Sequence, residues 1–292
     1  MTTLNQDPGA LPNDIARRRK VELPGAEQWI MHSRAENRKY QIMVAKPAEE
    51  PPSSGYPVIY VLDANSVFAT MVEAIRLQGR RPDKTGVLPA IIVGIGYETE
   101  APFSEDRYYD LTPEPTTVYH QKPDGTPLPE QGGAAAFLAF IEQELKPLIE
   151  REFQIDRSRQ TLFGHSLGGL FVLYALFMKP DAFRSYIAGS PSIHWNESLL
   201  LEQERQFKAR LEQEPTAIQL LLGAGELEKS HIARINDNAR ELAGRLSTLS
   251  SRGVDVEYKE FEGEGHVSVL PVLISRTLRL VLRPESKSHR SL

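Results

Sequence analysis

Short apolar runs rich in β-branched residues recur along the chain. The first two, Pro57-Val58-Ile59-Tyr60-Val61-Leu62 and Ala90-Ile91-Ile92-Val93-Gly94-Ile95, leave no polar position to face solvent. Runs of this length and composition fit strands covered on both faces, as in a parallel sheet. Between them, residues 66 to 78 carry apolar positions at helical spacing. The alternation continues with a strand at 161 to 163, a helix from 168, and strands at Ser185 to Ala188 and Ile218 to Leu222. An amphipathic helix over roughly 231 to 251 then closes at Gly253, followed by a strand from Val254 to Phe261 and a last helix after Ser268. Repeated βα units of this kind predict the α/β class, three layers with helices on both faces of a mostly parallel central sheet. Lys39 to Ala45 alternates and is followed by Pro47, predicting an antiparallel strand ahead of the parallel core.

Residues 134 to 152 place Phe137, Leu138, Ile141, Leu145, Leu148 and Ile149 at helical spacing, and Pro147 inside that stretch predicts a kink or a new segment. The stretch 112 to 133, with Pro113, Pro115, Pro123, Pro127, Pro129, Gly125, Gly132 and Gly133, is the longest irregular region. A loop that long in a compact domain usually serves function, and its place after the strand ending near Ile95 hangs it over the carboxyl edge of the sheet, as a pocket wall. The domain reading is an N-terminal extension over 1–34, a single domain over 35–285 and a tail over 286–292.

Candidate chemistry centres on Gly164-His165-Ser166-Leu167-Gly168-Gly169, preceded by the apolar run Thr161-Leu162-Phe163 and followed by the helical pattern Leu170 to Leu176. A serine on a tight strand-to-helix turn needs small neighbours two positions away, and the turn aims the N–H of the next residue and the helix dipole at a developing oxyanion. Ser166 is therefore the expected nucleophile and Leu167 an expected oxyanion donor; a helix-capping serine beside packing glycines is the plainer alternative. In a parallel sheet built this way the order is nucleophile, acid, histidine. His266, in Gly263-Glu264-Gly265-His266 between the last strand and the last helix, fits the base. The acid is expected after Leu220-Leu221-Leu222, in Gly223-Ala224-Gly225-Glu226-Leu227-Glu228, where Glu226 is preferred over Glu228; a Ser/His dyad with two solvated glutamates is the alternative. The second oxyanion N–H is expected from the turn Asp63-Ala64-Asn65, through the backbone of Ala64 or Asn65.

Composition adds exclusions. A net charge of −5 over 292 residues offers no global basic field for nucleic acid, although local basic residues leave room for a small neutral or acidic ligand. The chain has no cysteine, which removes disulfides, thiol catalysis and cysteine-held metal. No run of about eighteen apolar residues occurs, so no membrane span is expected. The opening MTTLNQDPGALPNDIARRRK lacks the apolar stretch of a signal peptide, so a cytoplasmic location is expected.

Several further motifs occur together: Tyr60-Val61-Leu62-Asp63-Ala64-Asn65, Ile92-Val93-Gly94-Ile95-Gly96-Tyr97, Arg107-Tyr108-Tyr109-Asp110-Leu111-Thr112-Pro113 and Gly189-Ser190-Pro191-Ser192. With the elbow they make a chain that resembles the putative-esterase family of α/β-hydrolases, over roughly residues 35 to 282. Within that family it is most similar to enzymes that open the trilactone of catecholate siderophores such as enterobactin, salmochelin and bacillibactin. The resemblance implies an α/β-hydrolase fold and a serine esterase acting on a small-molecule ester, a ferric catecholate siderophore among the candidates. No cofactor or catalytic metal is implied, because the iron belongs to the substrate. It places the nucleophile on Ser166, the histidine on His266 and the family's oxyanion glycine on Ala64, a departure in residue type. It also implies that Arg107 lines the pocket, where an arginine can stack on an aromatic ring and donate to an anion; an internal pair with Asp110 accounts for Arg107 equally well. Trp195 and His194, which follow the Gly-Ser-Pro-Ser loop, become candidate substrate-binding residues. A general carboxylesterase, an acyltransferase and a non-catalytic ligand-binding protein are the competing functions.

Overall fold

The computed structural model describes residues 21–284 except 117 and 123. Eight strands form one sheet: β1 (Ala26–His32), β2 (Lys39–Ala45), β3 (Tyr56–Leu62), β4 (Ile91–Gly96), β5 (Ile155–His165), β6 (Ser185–Gly189), β7 (Ile218–Gly225) and β8 (Val254–Phe261). Their spatial order is β1-β2-β4-β3-β5-β6-β7-β8, with β1, β2 and β4 joined antiparallel and every other neighbour parallel. Successive side chains alternate between two cores: Val58, Tyr60 and Leu62 enter one, Ile59 and Val61 the other. Covering both faces explains why β3 and β4 are apolar at nearly every position. The larger core packs under helices Leu167–Met178, Glu197–Gln213 and Ile235–Ser247 and the helical stretch from Ala134; the smaller packs under Ala64–Gln78 and Val269–Val281. This is a three-layer α/β-hydrolase fold. No described helix is long and apolar enough to cross a membrane.

The structure differs from the sequence reading at three places. Ala26–His32 falls in the stretch read as an N-terminal extension, yet it is an edge strand in full register with β2, Trp29 opposite Ile42. Residues 1–20 and the tail 286–292 lie outside the described residues. β5 is much longer than the apolar triplet, because Ile155 already pairs with Tyr56 and the polar first half runs along the sheet. The helix Glu197–Gln213 has no counterpart in the sequence reading: mostly polar, it buries only Leu200, Gln203, Glu204, Phe207 and Leu211. Asn196 caps it by accepting the Leu199 N–H at 3.2 Å, and buried Glu204 fixes it to the next helix through a two-pronged pair with Arg245 at 2.9–3.0 Å. Pro147 falls, as expected, at the start of a new segment, in the first turn of Lys146–Glu152. A π-turn at Ile141–Leu145 links Ala134–Phe140 to Lys146–Glu152 and takes up the hydrogen-bond mismatch.

The turns after β3, β5, β6, β7 and β8 all emerge at the carboxyl edge of the sheet, and they carry Asp63, Ser166, Ser190 to Ser192, Glu226 to Ser230, and His266.

Candidate active site

Ser166 joins β5 directly to helix Leu167–Met178 with φ 59° and ψ −117°, a conformation a non-glycine residue holds at a cost of about 1–3 kcal/mol. Three backbone bonds fix it: the Ser166 N–H donates to the Gly189 carbonyl at 2.9 Å, and the Leu170 and Ser192 N–H groups donate to the Ser166 carbonyl at 3.0 and 3.1 Å. The serine stands at the capping position but its side chain caps nothing. Its Oγ lies instead 3.1 Å from His266 Nε2 and 3.4 Å from Ser192 Oγ.

On its other side, His266 Nδ1 lies 2.7 Å from Glu228 Oε2. Glu228 Oε1 accepts the Ser190 hydroxyl at 2.7 Å and the Gly225 N–H at 2.8 Å. Burial pushes the Glu228 pKa up, but the hydrogen bonds from His266, Ser190 and Gly225 outweigh it and hold the carboxyl below its ordinary range. The acid side chain is 3% exposed and the histidine 40%, so the relay runs from a dry interior to an open mouth.

Glu226 is not the residue against His266. Its side chain is 39% exposed, accepts the Gly263 N–H at 3.0 Å and faces Lys229 at 3.7 Å. The reason is strand length: β7 continues through Gly225, which pairs with Phe261, so the turn opens at Glu226 and its inward position is Glu228. Glu226 braces the histidine-bearing turn from outside.

Beside the serine, Asp63 closes β3 with a left-handed φ of 52°, and Ala64 opens the next helix. Ala64 and Leu167 each begin a helix, so neither N–H has a carbonyl to meet within it. The Asn65 side chain is occupied elsewhere, donating to the Tyr97 carbonyl at 2.8 Å and accepting the Tyr97 N–H at 2.8 Å, which ties the turn to the end of β4. Arg107 pairs with Asp63 rather than Asp110, through Nε–Oδ1 and Nη2–Oδ2 bonds of 2.8 Å each. The pair is buried, and the guanidinium also lies 5.2 Å from the Phe103 ring.

Asp110 receives the Tyr40 hydroxyl at 3.1 Å and the Tyr97 hydroxyl at 3.0 Å. Burial lifts its carboxyl to about 7, against those two bonds and the field of Arg38, with Asp106 adding to the rise. The unfolded value is about 4. The folded state therefore holds the extra proton, so stability falls as pH rises from about 4 to about 7 and the loss is complete above that. Asp110→Asn flattens this part of the profile. Urea midpoints taken from about pH 4.5 to about pH 8 test it, and an unchanged slope contradicts it.

The loop after β6 carries the remaining candidates. Trp195 is 7% exposed, sandwiched by Tyr108 at 5.9 Å and Tyr119 at 5.5 Å between ring centres, and His194 meets Tyr119 edge-on at 5.8 Å. The irregular stretch 112–133 thus reaches the site, anchored by the Thr116 hydroxyl on the Trp195 carbonyl at 2.7 Å.

Comparison with known proteins places this geometry in a family. The family model described as "Putative esterase" matches residues 33–269. The chain belongs to that family. It is 58% identical to the ferri-bacillibactin esterase of Bacillus subtilis (strain 168) over 264 residues, 90% of this chain and 91% of that one. It is 37% identical to the siderophore enterobactin esterase of Emericella nidulans over 268 residues, covering 81% and 87% of the two chains. Among solved structures, the BES protein from Bacillus cereus superposes with a TM-score of 0.85 at 44% identity, covering 92% of this chain and all of that one. The chain is thus a hydrolase of ester bonds.

Two features of this esterase escaped the sequence reading. Ser190, buried with a positive φ of 39°, supplies the hydroxyl that holds Glu228; the only sequence signal was its place in the Gly-Ser-Pro-Ser loop. His165 lies under the site, its ring centre 4.6 Å from that of His266, and burial, followed by the field of His266, lowers its pKa to about 4, so it stays neutral at pH 7. The elbow glycines are also unequal. A Cβ on Gly164 would lie 2.2 Å from the Gly168 carbonyl oxygen, a backbone atom that cannot step aside, whereas one on Gly168 would sit 3.3 Å from Asp63 Oδ2. Gly164→Ala is therefore expected to cost about 3 kcal/mol in a denaturant titration, and Gly168→Ala less. Equal costs contradict this reading of the turn.

Proposed function

We propose that this esterase hydrolyses the seryl ester bonds of a catecholate trilactone siderophore and so releases its iron. One observation carries the chemistry: the unbroken line of hydrogen bonds from Ser166 through His266 to Glu228, 3.1 Å and 2.7 Å long. The substrate class rests on kinship with the ferri-bacillibactin and enterobactin esterases.

In this reading His266 takes the Ser166 proton as the hydroxyl attacks the ester carbonyl, and Glu228 holds the imidazole in the required tautomer and stabilises its cation. The Leu167 and Ala64 N–H groups receive the oxyanion, with Asn65 fastening the turn that presents Ala64. Collapse expels the seryl alcohol with the proton returned by His266. Water then enters by the same route and frees the acid. Each cut opens the ring or shortens the chain, and the ferric complex loses the preorganisation that made it tight. Arg107 sets the Asp63 turn through its paired nitrogens, and His194 and Trp195 form the wall met by the substrate's arms. The same proposal takes the reaction to be cytoplasmic.

The test is chromatographic. Ferric and iron-free cyclic catecholate trilactones incubated with the esterase are expected to give linear trimer, then dimer and monomer. A rate no better than for a simple short-chain ester, or a product joined to an added alcohol in place of the free acid, overturns the assignment in favour of a general esterase or an acyltransferase.

A further inference from the structure

Three ring nitrogens near the serine are buried without a partner among the described residues: His165 Nε2 beneath the catalytic histidine, and Trp195 Nε1 and His194 Nδ1 on the loop after β6. An unmet N–H in a folded interior calls for an explanation, since leaving one unpaired costs about 1–3 kcal/mol. His194 and Trp195 are adjacent and follow Ser192, whose N–H donates to the Ser166 carbonyl at 3.1 Å and whose carbonyl accepts the Trp195 backbone N–H at 3.0 Å. Trp195 is more than nine-tenths buried, with Tyr119 tilted 35° on its ring. Tyr119 itself has no hydroxyl hydrogen bond among the described residues; ring contact with Trp195 and His194 is what seats it. It projects from the loop that Thr116, three residues earlier, anchors by two hydrogen bonds, its hydroxyl to the Trp195 carbonyl at 2.7 Å and its N–H to Gln131 Oε1 at 2.9 Å. The anchor stays with Trp195 whether or not Tyr119 does.

We propose that Tyr119 is a displaceable stand-in for an aromatic ring of the substrate. A planar ring carrying hydrogen-bond acceptors, such as the catechol carboxamide arm of the ester proposed above, takes the place of the phenol against Trp195. Its oxygens meet the Trp195 N–H and the His194 ring nitrogen that the phenol leaves unpaired. The phenol covers the apolar platform between turnovers and sets the selectivity: an arm that stacks and accepts hydrogen bonds displaces Tyr119, while an aliphatic arm has nothing to exchange for the lost contact. This inference rests on the siderophore-ester reading for the identity of the arm, and on the structure alone for the exchange.

The experiment uses 2,3-dihydroxybenzamide as probe and a Trp29→Phe background, in which Trp195 is the only tryptophan. The probe is expected to quench Trp195 emission. Adding Tyr119→Ala should tighten the apparent Kd by about threefold to tenfold, because the binding-competent state no longer competes with a seated phenol. Trp195→Phe, read by calorimetry, keeps an aromatic face of smaller area but removes the donor and should weaken binding by about tenfold. In steady-state assays Tyr119→Ala should lower KM for a catechol-bearing ester and leave KM for ethyl butyrate unchanged. An unchanged or weaker Kd in Tyr119→Ala overturns the exchange, as does a KM shift shared equally by both esters. Quenching and tightening without any cleavage of the trilactone would instead sink the functional reading while leaving the exchange standing; normal trilactone cleavage with a neutral Tyr119→Ala does the reverse.

Discussion

Ser166→Ala is expected to lower kcat/KM for ester hydrolysis by about 10^5- to 10^6-fold, and His266→Ala by a similar factor, with the double variant no worse than either. The non-additivity is the informative part. Ser166 Oγ and His266 Nε2, 3.1 Å apart, act as one unit: without the base the hydroxyl stays protonated, and without the hydroxyl the base has no proton to take. What survives is the contribution of the Leu167 and Ala64 N–H groups and of substrate positioning, about 10^3- to 10^4-fold over water. Neither truncation should unfold the chain, because the elbow is fixed by backbone bonds to Gly189 and Leu170 that need no side chain at 166, and His266 is 40% exposed. Melting temperatures close to wild type, alongside the lost rate, separate chemistry from folding. Rates that multiply in the double variant would mean that the two residues act independently.

Glu228→Gln is the second large effect, an expected loss in kcat of about 10^4-fold, against less than about twofold for Glu226→Gln. The direction follows from the donors around the carboxylate. Ser190 Oγ and the Gly225 N–H both point at Oε1, so a glutamine keeps its carbonyl oxygen there and turns its NH₂ toward His266. His266 Nδ1 must then accept, which puts the imidazole proton on Nε2 facing Ser166. That tautomer cannot take the serine proton. Glu226, exposed and bonded to the Gly263 N–H, has no part in this exchange. Equal losses in the two glutamine variants, or a Glu228→Gln enzyme within tenfold of wild type, would contradict the relay and favour a Ser/His dyad.

The contrast between the two glutamates marks how far the sequence can be read. Ser166 and His266 were legible because their surroundings are local: small residues around a strained turn, and a glycine-flanked histidine between the last strand and the last helix. The acid was not, since choosing between Glu226 and Glu228 depends on whether β7 stops near Leu222 or runs on to Gly225, and that is decided by its pairing with β8. Arg107 shows the same limit. Its partner in sequence is Asp110, one helical turn away, but the fold sets it against Asp63, forty-four residues back, and leaves Asp110 to two tyrosines. The parallel core was visible in continuous apolar runs that only a doubly covered sheet explains. The edge strand Ala26–His32 and helix Glu197–Gln213 were hidden because the strand only half-buries Ala26, Trp29 and Met31 and the helix buries a thin stripe, which in a polar segment gives little periodicity to detect.

As the proposed nucleophile in cutting siderophore esters, Ser166 must be distinguished from its near neighbour Ser192, 3.4 Å away. Inactivation with diisopropyl fluorophosphate followed by peptide mass mapping does this directly, with trilactone cleavage followed in the same samples. The expected result is a single adduct on the Ser166 peptide that grows in step with loss of trilactone cleavage, and slow labelling in His266→Ala and Glu228→Gln. An adduct on Ser192, or trilactone cleavage that persists once Ser166 is fully modified, would contradict it.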